Sequence, residues 1–153
     1  MSVTPVILCG QFEELGKAFA DGLKPDFEVI YFTTSPTSAL TDILTVLKGS
    51  IPTSTTSSTQ VGSGNLSHGS PKAIIVSAAL YDDVWIEAAR QELRSAGQHV
   101  AILKPDLSGC ADGSAEKGSA DKAKAAAEHA VKVLRKLEDE GKLEGEDDGV
   151  YAY

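Results

Sequence analysis

A few short stretches of this 153-residue chain hold residue types that could do chemistry. Cys9-Gly10-Gln11 sets a thiol and an amide at a turn. A cysteine beside a helix N-terminus can have a lowered pKa and act as a nucleophile. Tyr81 and Lys104 would supply an acid/base pair, and Asp106 would bind a hydroxyl. Each has a simpler reading beside it. Cys9 ends an apolar run and reads equally as a buried structural thiol. Tyr81 and Lys104 stand in different segments, and Asp106 follows a proline as turn residues do. His68, His99 and His129 show no spacing that would converge on a metal. No Gly-x-Ser-x-Gly elbow, phosphate-binding P-loop or Cys-x-x-Cys occurs.

The elements that must position these residues alternate between strand and helix. Val6–Cys9 is a continuous apolar run, as expected of a strand covered on both faces of a parallel sheet. Gln11–Leu23 reads as a helix, with Phe12, Leu15, Phe19 and Leu23 on one face. Lys24-Pro25-Asp26 stops it, because proline disfavours helical geometry in the residue before it. Phe27–Phe32 is rich in aromatic and β-branched residues and reads as a second strand. Ser35 is placed to cap a second helix with Pro36 at its first position. Leu40, Ile43, Leu44 and Leu47 would be its apolar face, and Gly49 its end. Ala73–Leu80 is a third strand, followed by a helix from Asp82 or Asp83 to about Ala96. Val84, Ala88 and Leu93, with Trp85 and Ala89, would pack it, and Gly97 would cap it. His99–Leu103 is a fourth strand. A long Ala-rich helix spans roughly Ser119–Glu140, its buried stripe running through Ala123, Ala126, Ala127, Ala130, Val131, Leu134 and Leu137.

Two segments break this rhythm. In residues 49–72, fifteen positions are Ser, Thr or Gly and no apolar period appears. Such a segment buries too little to offset its ordering entropy, so it reads as a flexible surface insertion, or as a mobile cover over a site. Residues 107–118 form a second Gly/Ser-rich loop. The charge is also uneven. Residues 138–153 carry a net −6 and residues 1–137 a net −2, within the −8 of the whole chain. An almost neutral body with an acidic tail argues against nucleic acid, which needs a clustered basic surface. No stretch approaches the roughly 18 apolar residues of a membrane span, and no secretion signal opens the chain. The expected location is the cytoplasm, where Cys9 and Cys110 stay reduced. The final Gly149-Val150-Tyr151-Ala152-Tyr153 is apolar and aromatic, so the terminus is expected to dock.

Gly10-x5-Gly16 resembles the nucleotide-binding turn of NAD(P)-binding Rossmann proteins. In the variant with glycine at positions one, four and seven, Gly10 and Gly16 match the first and last. The resemblance implies NAD(P) held at Gly10, Gln11, Gly16 and Thr33. Glu13 stands at the middle glycine, whose bare backbone admits the pyrophosphate, and this counts against the cofactor. The second strand ends without an acid for a ribose hydroxyl. The Tyr-x-x-x-Lys spacing of short-chain dehydrogenases is absent. So are the acidic cluster of CheY-like receivers and the phosphate loop of flavodoxins. The whole chain also looks like a group of small fungal Rossmann-like proteins of unassigned function. Ile7-Leu8-Cys9-Gly10, Gly22-Leu23-Lys24-Pro25 and the closing Asp148–Tyr153 carry that likeness.

The expected architecture is one α/β domain over residues 1–153, a three-layer α/β/α sandwich on a parallel four-stranded sheet. Strand order 3-2-1-4 would be Rossmann-like and 2-1-3-4 flavodoxin-like, with right-handed crossovers throughout. The expected function is a degenerate Rossmann-like module that binds a small molecule or a partner without an intact dinucleotide motif. The alternative is a small cytosolic enzyme working on a metabolite at the strand ends, with Cys9, Tyr81, Lys104 or Asp106 contributing and a nucleotide cofactor allowed. A homodimer is expected, through the Ala-rich last helix or the terminal tyrosines, with no metal, no nucleic acid and no membrane.

Overall fold

The computed structural model describes residues 4–10, 13–23, 27–33, 36–48, 71–76, 83–97, 100–104, 120–141 and 149–152. Five strands form one parallel sheet: β1 (Thr4–Cys9), β2 (Phe27–Thr33), β3 (Ala73–Val76), β4 (Ala101–Lys104) and β5 (Val150–Ala152). Four helices flank it: α1 (Glu13–Leu23), α2 (Pro36–Leu47), α3 (Asp83–Ser95) and α4 (Ala120–Asp139). The strand order is β2-β1-β3-β4-β5, the flavodoxin-like alternative. The expectation of four strands needs correction. The apolar tail docks as a fifth strand beside β4 of its own chain, with Leu103 in register with Tyr151. Three residues show too little period to be read as a strand without their partner.

The sheet is apolar on both faces, which is why β1, β3 and most of β4 read as unbroken hydrophobic runs. On one face α1 and α4 pack together over Val6, Leu8, Ile75 and Leu103. On the other, α2 and α3 cover Ile7, Cys9, Ile74 and Ile102. Burial corrects two of the expected helix faces. In α3 Val84 is 77% exposed, while Trp85, Ile86, Ala89 and Leu93 are buried. In α2 the buried stripe runs through Ala39, Asp42, Ile43, Val46 and Leu47, leaving Leu40 and Leu44 half-buried. In both cases the sheet selected one helix stripe among two that the spacing allows. The α4 stripe holds at Ala127, Ala130, Leu134 and Leu137, and it is spent on α1 and the sheet rather than left as a seam for a second copy.

A bulge in β2 sets much of the local detail. Val6 pairs with Val29, but Ile7 pairs with Tyr31, so Ile30 is one residue extra. One added residue moves every later side chain to the opposite face. Phe27 and Val29 face α1 before the bulge, and Phe32 faces α1 after it. Ile30 and Tyr31 both face α2. There the Tyr31 hydroxyl donates to Asp42 Oδ2 at 2.8 Å, in the core.

One connection departs from the expected handedness. From β2 to β3 and from β3 to β4 the chain steps the same way across the sheet, with α2 and α3 on one face. From β1 to β2 it steps the opposite way, with α1 on the opposite face, which is the same hand. From β4 to β5 it steps as from β3 to β4, yet α4 lies on the α1 face. The β4-α4-β5 connection is therefore opposite in hand to the other three. Parallel crossovers are right-handed in about 98% of cases, because a right-twisted strand feeds its helix back onto the sheet that way. The Thr4 hydroxyl donates to Glu138 Oε2 at 3.0 Å, fixing the end of α4 beside the start of β1.

Candidate functional site

In an open parallel sheet, ligands sit beyond the carboxyl ends of the strands, where successive helices leave toward opposite faces. Here that point falls between β1 and β3, because α1 and α3 cover different faces. The described rim consists of Cys9 at the end of β1 with Gly10 after it, Thr33 at the end of β2, Asp83 at the start of α3 and Lys104 at the end of β4.

Cys9 is fully buried, in register with Thr33 on one side and Val76 on the other. Burial pushes its thiol well above the ordinary cysteine range, because desolvation penalises the thiolate. In this arrangement the group packs as a small hydrophobe. The Gly10 N–H donates to the Thr33 carbonyl at 3.0 Å, extending the β1–β2 ladder by one rung. Thr33 is itself buried. The first glycine of the turn thus spends its donor on the sheet.

Gly16 lies in the first turns of α1 and is buried. A Cβ there would stand 2.7 Å from Cε1 and Cζ of Phe32. Its bare backbone serves helix-to-strand packing, the part that the last glycine plays in dinucleotide-binding turns. Glu13 and Glu14 are the first two residues of α1.

Lys104 Nζ lies 3.1 Å from Asp83 Oδ1. The lysine side chain is 38% exposed and the aspartate 86%, so this is a surface ion pair across the rim. Sequence spacing gave no signal for it, since the two residues are 21 positions apart and meet only through the β3–β4 pairing. The buried Tyr31–Asp42 pair was also missed. Its signal was an acid at a position three after Ala39 and four before Val46, on the buried stripe of α2. Gln11, Tyr81, Asp106, Cys110, His68, His99, residues 49–70 of the Ser/Thr/Gly-rich insertion and the second loop 107–118 lie outside the described residues. His129 is exposed on α4. Among the described residues no three of His, Cys, Asp and Glu gather to hold a metal ion. No described helix is long and apolar enough to cross a membrane.

No family model matches the chain, and no solved structure matches it. The fungal likeness has a counterpart in kojic acid related protein 6 of Aspergillus oryzae, 32% identical over 107 residues. The match covers 67% of this chain and 58% of that protein, so the chain spans less than two thirds of its relative.

Proposed function

We propose that this chain is a flavodoxin-ordered relative of the Rossmann proteins that binds a small molecule or a partner without dinucleotide chemistry. One observation carries the reading: the Gly10 N–H is committed to the Thr33 carbonyl at a turn that leads into a helix opening with Glu13 and Glu14. A pyrophosphate needs free backbone donors and a positive helix end, and negative residues at that end oppose it. Calorimetric titration with NADH and NADPH at about 1 mM tests the reading. The expected outcome is no saturable heat; saturation with either cofactor defeats it. The name of the Aspergillus relative makes kojic acid the first small molecule to titrate beside them.

The second reading is a small enzyme at the strand ends, and the Lys104–Asp83 pair on the rim favours it. Under that reading Lys104→Ala abolishes turnover of the metabolite while leaving the fold intact by circular dichroism. A cytoplasmic location and a homodimer belong to the same proposal. The buried thiol of Cys9 suits a reducing compartment. Light scattering tests the dimer, and a fluorescent fusion the location.

A further inference from the structure

We propose that β5 is exchanged between two copies of this chain, each copy laying its Val150–Ala152 strand on β4 of the other. Within one chain, β4 and β5 are parallel neighbours joined through a helix on the wrong face for a right-handed crossover. The constraint applies to two strands that share a connection. If β5 comes from a second copy, the two paired strands are not joined, and the pairing carries no handedness cost.

The strand is also built to be replaced by its own equivalent. It is three residues long, held by register pairs Ile102–Val150, Leu103–Tyr151 and Lys104–Ala152, with the Ile102 N–H donating to the Gly149 carbonyl at 3.1 Å. Val150 packs toward the α2/α3 core and Tyr151 toward the α1/α4 core. Whatever covers the β4 edge must therefore offer a β-branched residue and an aromatic on alternate faces, in parallel register. A second copy carries that pattern by identity. The connection allows the transfer. Ten positions, Glu140 to Gly149, separate α4 from β5 and include Gly141, Gly145 and Gly149. Extended, they reach about 33 Å. Exchange of an identical element between two copies is a low-cost route to a symmetric dimer.

A disulfide trap decides the question. Lys104→Cys and Ala152→Cys are introduced together in a Cys110→Ser background, leaving the buried Cys9 in place. The two new positions are register partners on adjacent strands, within the separation a disulfide spans. After oxidation, exchange gives a covalent dimer on a non-reducing gel, at twice the 16.0 kDa of one chain. A product that is predominantly a closed monomer overturns the proposal. Should the variant fail to fold, light scattering on the unaltered chain and on a chain truncated after Asp148 keeps the test open. A dimer that becomes a monomer on truncation supports exchange. A monomeric full chain, or a dimer that survives truncation, overturns it.

Discussion

Gly16 and Phe32 meet so closely that the smallest side chain does not fit. The Cβ of alanine at position 16 would stand 2.7 Å from the Phe32 ring, and ring and helix are both held by the core. Gly16→Ala is expected to destabilise the fold by about 1–3 kcal/mol, the usual cost of overpacking. Phe32→Leu in the same chain should return part of that loss, and a double-mutant cycle in urea reads the coupling. Cys9 makes a prediction with a defined sign. Its thiol stays protonated in the fold, while in the unfolded chain it titrates near the ordinary value of 9.0. Above that pH the unfolded state has lost a proton that the native state keeps, so stability falls as pH rises, by up to about 1.4 kcal/mol per unit. Below that pH the group makes no difference. Urea unfolding of the unaltered chain and of Cys9→Ala between pH 7 and about 10.5 checks this. The gap between them should narrow as pH rises; a constant gap would sink the assignment.

At the level of elements, the β2 bulge at Ile30 decides which residues meet. It turns Tyr31 toward α2 and brings Phe32 under α1. Tyr31→Phe removes the donor at 2.8 Å and leaves a buried carboxylate short of a partner. The expected cost is about 1–3 kcal/mol. Asp42→Asn with Tyr31→Phe should cost less than Tyr31→Phe alone, because no charge is then left buried. Chemical denaturation of the unaltered chain and the two variants orders them. The Lys104–Asp83 pair is of another kind. With its aspartate 86% exposed, Lys104→Ala should change stability by under about 1 kcal/mol. Any larger effect on ligand binding would then report on the rim itself and not on the fold.

Across the whole molecule, stability is graded from the middle of the sheet outward. β1 and β3 are paired on both sides and covered on both faces, whereas β5 is short, lies at an edge and is half-buried. Amides exchange through openings whose free energy follows local burial and hydrogen bonding. The amides of Ile7, Leu8, Ile74 and Ile75 are expected to be the slowest to exchange with deuterium, and those of β5 among the fastest of the strands. A distinct feature at the other edge is Glu28, whose Oε2 is buried with no hydrogen-bond partner among the described residues.

The alternation of apolar runs with helical periods determined the α/β class, four of the five strands and all four helices, because both signals are local. The boundaries of α4 and the Gly97 cap were legible for the same reason: Gly97 has φ +74°, a backbone region that favours glycine. Strand order, the fifth strand and the hand of the last connection were not legible, because they depend on which distant segments bury each other. Val84 illustrates the limit. Spacing put it on the packing face, and the sheet chose the stripe beside it, through Trp85 and Ala89. The Lys104–Asp83 and Tyr31–Asp42 pairs belong to the same class. A local pattern states that a face is apolar, but only tertiary packing states which face is covered and by what.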